Sequence, residues 1–181
     1  MRIACQLALI TLVTLGAACA QTLQTGSVLP QIKGTSLEDQ EITLPNAAAG
    51  KVTFLMITFS KAAGEKSQAW SDRFLKDYSQ DDRVTSYLIA MLEDVPALLR
   101  GMVRGGIKRG VPASMRRRFL TVVKGEAEWK RYVGMQDDKE AYLLLLDGQG
   151  RVQWMHHGLF EQAAYDALRS RITEMLNGKT N

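Results

Sequence analysis

Residues 51–70 read KVTFLMITFSKAAGEKSQAW. The first half is a nearly unbroken apolar run, Val52 to Phe59. A strand with one wet face would alternate polar and apolar residues, so this run predicts a strand covered on both faces, central in an α/β sheet. The second half changes period. Trp70, Phe74 and Tyr78 recur every fourth residue and lay one apolar stripe along a helix predicted over 65–79. Between strand and helix stand Ser60, Lys61, Ala62, Ala63, Gly64 and Glu65. The free N–H groups and dipole of a helix start favour negative charge, and a cysteine placed there would have its thiolate stabilised. No cysteine is present. Two readings stay open: an ordinary junction capped by Ser60, with Glu65 in the first turn, or a weak site for a carboxylate or peptide group. Ser60 is not read as a nucleophile, because no Gly-x-Ser-x-Gly elbow surrounds it.

Downstream, VTSYLIAML (84–92) predicts a second buried strand. The segment EDVPALLRGMVRGGIKRG has helical periodicity: Val95, Leu98, Leu99, Met102, Val103 and Ile107 fall on one face, Arg100, Arg104 and Lys108 on another. Asp94 is the expected N-cap, with Pro96 in the first turn. Gly101, Gly105 and Gly106 weaken this helix by about 1 kcal/mol each relative to alanine. Then come a short strand in RRRFLTVVK (116–124), a short helix in GEAEWKRYVG, and a hairpin of AYLLLLD (141–147), GQG and RVQWMHH. A final amphipathic helix over 159–177 carries Phe160, Ala164, Leu168, Ile172 and Met175 on one side. Upstream, GSVLPQIKGTSLEDQEITLP reads as two short strands around a turn at Glu38-Asp39-Gln40. The order predicts an α/β fold with a mixed central sheet and helices on both faces, an N-terminal β-hairpin and a β-α insertion.

The first twenty residues read as a secretory signal peptide. Arg2 gives a positive start, LALITLVTLGA an apolar stretch, and Ala18-Cys19-Ala20 small residues before a cleavage point after Ala20. The expected organisation is a signal peptide at 1–20, a hairpin extension at 21–50 and the main domain at 51–178. A lipid on Cys19 is disfavoured, because Gly16 replaces the larger apolar residue expected three positions earlier. Cys5 and Cys19 are the sequence's two cysteines, so the exported chain would hold none. That excludes thiol oxidoreductases, thiol peroxidases and cysteine-ligated metal sites. Loss of Arg2 lowers the formal charge from +4 to +3, too mild a bias to indicate nucleic acid.

The order resembles the thioredoxin-like superfamily, in its secreted thiol-disulfide and peroxiredoxin-like branch, from about Gly26 to Leu176. GSVLPQIKGTSLEDQEITL is similar to that branch's lead-in, GKVTFLMITFS to its first core strand, and AYLLLLDGQGRVQWMHHG to its late hairpin. The resemblance implies a Cys-x-x-Cys or single reactive cysteine within Ser60–Lys66, where this chain has SKAAGEK, and a cis-proline near Glu140–Tyr142, where it has EAY. Both signatures are missing together. The hairpin AYLLLLDGQGRVQW, through Tyr142, Asp147 and Trp154, and the basic centre LLRGMVRGGIKRGVPASMRRRF are also similar to the assembly-factor family for the mitochondrial ATP synthase. That family lacks the dithiol and implies a chaperone for a membrane subunit. The signal peptide departs from its mitochondrial targeting sequences.

Other chemistry is sparse. His156 and His157 are adjacent on a predicted strand, so they point to opposite faces and cannot chelate one ion together. Asp81-Asp82 and Asp137-Asp138 read as turn residues. No metal or cofactor site is expected. Arg100, Arg104, Lys108, Arg109, Arg116, Arg117 and Arg118 place seven cations within nineteen residues, with no acid between Asp94 and Glu126. Two readings stay open: a solvated face, or a contact for an anionic membrane surface or an acidic envelope protein. Nucleic acid is not expected, since no aromatic stacking platform accompanies the charge. The sequence therefore reads as an exported non-redox module that binds, chaperones or assembles another envelope protein. The competing reading is a degenerate or inactive thiol-disulfide or peroxiredoxin-type oxidoreductase homologue.

Overall fold

A computed structural model of the protein describes residues 22–178. The expected signal peptide with its cleavage after Ala20, and with it Cys5 and Cys19, lies outside the described residues.

The lead-in forms β1 (Ile32–Ser36) and β2 (Glu41–Leu44), joined by a turn in which Asp39 takes φ 64°. The apolar run becomes β3 (Val52–Thr58), buried at every position. It is followed by α1 (Lys61–Tyr78), β4 (Val84–Met91), α2 (Ala97–Gly110) and a helical turn α3 (Ala113–Arg116). Then come β5 (Phe119–Val122), α4 (Glu126–Tyr132), β6 (Tyr142–Leu146), β7 (Val152–His157) and α5 (Gln162–Leu176). One seven-stranded sheet runs in the order β2-β1-β5-β4-β3-β6-β7. The central β5-β4-β3 strands are parallel and the outer pairings antiparallel. The β1–β5 pairing makes the N-terminal hairpin part of the same sheet.

Alternation along the strands sorts the core into two layers. Phe54 and Met56 face α1 and α5, where Trp70, Phe74, Tyr165, Leu168 and Ile172 are buried with them. Val103 and Ile107 of α2 pack on that layer. Leu55, Ile57, Ile89 and Leu144 face the other way, under Trp129 of α4 and the segment carrying Leu23 and Leu29. Helices thus cover both faces, as expected of a mixed α/β sheet. The β6–β7 turn needs glycine at 150: its φ is 76°, and a Cβ would lie 2.7 Å from Pro45 Cγ.

Three boundaries differ from the sequence reading. The first helix starts at Lys61 rather than 65, because the Ser60 cap lets it run through Gly64. Asp94 does not cap α2: Pro96 occupies that position with ψ 134°, and no side chain caps the helix. Arg116 ends a helical turn, so the strand expected from 116 begins at Phe119.

Candidate functional site

The carboxyl ends of parallel strands are where α/β sheets place ligands. Here β3 passes through buried Phe59 into Ser60, whose Oγ accepts the Ala63 N–H at 3.1 Å. The same hydroxyl donates to the Asp138 carbonyl, 2.7 Å away, tying the helix start to the loop before β6. Such a cap contributes about 1 kcal/mol. Ala63 is fully buried, while Lys61 and Glu65 form an exposed i,i+4 pair at 3.6 Å. Residues 22–178 contain no cysteine. Where the resemblance implies a thiol, the chain presents alanine methyls and a hydroxyl already engaged on both sides.

The loop opposite is held without a proline. The Tyr142 hydroxyl accepts the N–H groups of Gln136 (2.9 Å) and Asp137 (3.2 Å) and donates to the Asp137 carbonyl (3.0 Å). The cis peptide among the described residues is Leu44–Pro45, not one at Glu140–Tyr142. His157 stacks on Tyr142, with ring centroids 5.7 Å apart, and its Nδ1 lies 2.6 Å from Glu140 Oε2. His156 points to the other face, 5.4 Å from the Trp70 ring. The two histidines therefore separate as alternation predicts. Among the described residues no group of three or more His, Cys, Asp or Glu could hold a metal ion.

Burial, then the neighbouring His157, lowers the pKa of His156 below 6.5. The unfolded chain binds this proton more tightly than the folded one. Stability is therefore complete above pH about 6.5 and falls as pH drops below it. His156→Phe should narrow the loss of melting temperature between neutral and mildly acidic buffer; an unchanged loss would remove His156 as its source.

A charged network beside this end was not legible in the sequence. Glu126, 2% exposed, opens α4. Its Oε2 accepts the N–H groups of Glu93 (3.1 Å) and Asp94 (3.4 Å), and its own N–H donates to Glu93 Oε2 at 2.7 Å. Lys130 Nζ lies 2.8 Å from both Glu126 Oε1 and Asp94 Oδ2, and 5.9 Å from the Phe59 ring centroid. The Asp94 contact, then that of Glu126, pushes the Lys130 pKa up to about 12. The local signal was the Glu126–Lys130 spacing of four, but Glu93 and Asp94 lie more than thirty residues away. The network clamps the β4–α2 loop onto α4.

The seven cations separate into two sets. Arg100 Nε donates to the Leu92 (3.1 Å) and Val95 (2.9 Å) carbonyls, and its Nη2 to that of Glu93 (2.8 Å). Arg104 donates to the Ser36 carbonyl and pairs with Asp39 at 2.8 Å. Arg116 bonds the Val111 carbonyl, and Arg118 contacts Met115 Sδ at 3.7 Å. Lys108, Arg109 and Arg117 make no ion pair or hydrogen bond to another side chain among the described residues. The apolar face expected for α2 is also divided: Val103 and Ile107 pack inward, whereas Leu98 is 97% and Met102 71% exposed. A separate groove of about 730 Å³ beside β1, β2 and α4 is lined by Ile42, Val123, Trp129 and Tyr132, and by none of the predicted site residues. Among the described residues no helix is long and apolar enough to cross a membrane.

Comparison with known proteins fits this geometry. The fold is similar to a protein of Chlorobium tepidum assigned as the thiol:disulfide interchange protein DsbE: TM-score 0.63, 18% identity, covering 86% of this chain and 99% of that one. It is similar to a thiol peroxidase from Chromobacterium violaceum: TM-score 0.58, 15% identity, 88% and 90% covered. It is also similar to the thioredoxin domain of a thiol-disulfide oxidoreductase from Bacteroides vulgatus: TM-score 0.57, 17% identity, 83% and 99% covered. At these identities the likeness shows a thioredoxin-like fold and no more. No curated protein matches the chain. A family model described as ATP10 protein matches residues 23–175. The chain, a thioredoxin-like domain whose strand-to-helix junction carries Ser60 and two alanines instead of a thiol, belongs to the ATP10 protein family.

Proposed function

We propose that this protein is an exported, non-redox assembly factor that holds a membrane-associated client through the basic segment 100–118. The observation that carries the reading is the engaged junction: Ser60 is bonded to Ala63 and Asp138, and Ala63 is buried, within the Ser60–Lys66 stretch where the resemblance places a reactive cysteine. Cleavage after Ala20 would remove Cys5 and Cys19 and leave no thiol for exchange chemistry. Membership of the ATP10 family supports assembly work, with the membrane sector of an ATP synthase as the first client to test. The signal-like residues 1–20 support export, and an envelope client follows from export. Within the segment, Lys108, Arg109 and Arg117 are the cations left for a partner, since Arg100 and Arg104 are spent on the chain's own carbonyls and Asp39. The oxidoreductase alternative has fold similarity alone behind it.

Photo-cross-linking tests this. A photoreactive residue at Lys108 or Arg117 should trap a membrane-embedded ATP-synthase subunit in intact cells. The same probe at Glu174, on exposed α5, should not. Equal trapping at all three positions, or none at Lys108 and Arg117, would contradict the assignment.

A further inference from the structure

We propose that the outward face of α2 seats on an anionic phospholipid surface, with Leu98 and Met102 entering the interface and Lys108, Arg109 and Arg117 holding the headgroups. Leu98, Met102, Gly105 and Arg109 follow a 4-3-4 spacing and so share one face. That face is bare. Leu98 is 97% and Met102 71% exposed, while neighbouring Leu99 is 45% exposed. A Cβ added at Gly101 would meet nothing within 4 Å, and one at Gly105 or Gly106 only the tip of Arg109 at 3.9 Å. The two large apolar side chains therefore stand clear of a glycine floor. They are not turned outward for lack of an inner face: Val103 and Ile107 pack on the core layer, and Arg100 and Arg104 bond inward beside them.

The surrounding charge selects the occupant. From 95 to 125 the chain has no carboxylate, so a second copy on this face would bring like charge against like. An acidic protein surface would satisfy the cations but not two freestanding apolar tips. A bilayer interface takes both: tips of this kind sink into the headgroup–acyl boundary, and each nearby Lys or Arg adds attraction to anionic lipid. This goes beyond the assembly reading. Lipid alone tests it, so its failure leaves the client cross-link standing.

The test is vesicle flotation of the processed protein as isolated from cells. It should float with phosphatidylglycerol and phosphatidylcholine vesicles in about a 1:2 ratio, not with phosphatidylcholine alone, and release as salt rises. Leu98→Ser with Met102→Ser should weaken partitioning about 100-fold. Lys108→Gln with Arg109→Gln and Arg117→Gln should weaken it by about the same factor at low salt. Both sets should retain the parent's circular dichroism and melting temperature, since the altered side chains are outside the core. No flotation on anionic vesicles, equal flotation on phosphatidylcholine, or flotation indifferent to the Leu98 and Met102 changes would overturn the proposal.

Discussion

Trp70→Ala should lower the stability of the fold by about 3–5 kcal/mol and its melting temperature by roughly 10 °C. Trp70 is fully buried. Its ring meets Phe160 edge-on, with centroids 5.1 Å apart, and lies 5.4 Å from His156, 6.3 Å from Trp154 and 6.3 Å from Tyr165. Its Nε1–H donates to the Gly158 carbonyl at 3.3 Å. One side chain thus joins α1, β7 and the entry to α5. The hole left by alanine has rigid walls on all of these and cannot collapse, so the loss includes a cavity contribution besides transfer of the ring. Of a total stability of about 5–15 kcal/mol, this is a large fraction. Trp70→Phe should recover most of the packing but leave Gly158 without its donor, a deficit of about 1–3 kcal/mol. Urea titration of the three proteins measures this. A fall below about 1 kcal/mol for alanine would mean that the cluster does not hold the helices to the sheet.

Glu126→Ala should destabilise by about 3 kcal/mol through a different mechanism: it strands polar groups rather than opening a cavity. The N–H groups of Glu93 and Asp94 lose their acceptor, and Lys130 keeps only Asp94. Lys130→Met should be at least as damaging, because it leaves the 2%-exposed Glu126 carboxylate without its cation. A double-mutant cycle between the two should give a coupling of about 1–3 kcal/mol; additive losses would show that the pair does not act as a unit. The pH dependence has two sides. The Lys130 contribution is full below its unfolded pKa of about 10.4 and disappears as pH rises through about 12. Lys130, then Glu126, lowers the pKa of Asp94, so its contribution is full above the ordinary value of 3.8 and lost as pH falls through the lowered one. Because this clamp anchors the loop into α2, Glu126→Ala should also speed amide exchange at Val95 and Leu99, ahead of global unfolding.

The central strands were legible because β3, β4 and β6 are buried at every position, and their mostly apolar runs lack the alternation of a strand with one wet face. The aromatic stripe of α1 was equally plain. The Ser60 cap was also legible, but the apolar periodicity begins at 65, so the sequence reading omits the turn from Lys61 through Gly64 and places Glu65 in a first turn it does not occupy. In α2, periodicity placed Leu98 and Met102 with Val103 and Ile107. It could not show that Arg100 and Arg104 would turn inward onto carbonyls while Leu98 and Met102 stay exposed. The Glu93–Asp94–Glu126–Lys130 clamp joins residues more than thirty positions apart, and no local pattern announces such a contact. The junction at Ser60 was the reverse case: the missing thiol is visible in six letters, and the structure adds that the Ser60 hydroxyl is bonded on both sides and Ala63 is buried.

If this thioredoxin-like chain acts in assembly without a thiol, its two cysteines are dispensable. Cells lacking the protein should be supplied with a full chain carrying Cys5→Ser and Cys19→Ser, and intact ATP synthase scored on native gels. Fully assembled enzyme should appear at the wild-type level with the cysteine-free chain, with a deficit when no chain is supplied. Failure of the cysteine-free chain, while the wild-type chain restores assembly, would contradict it.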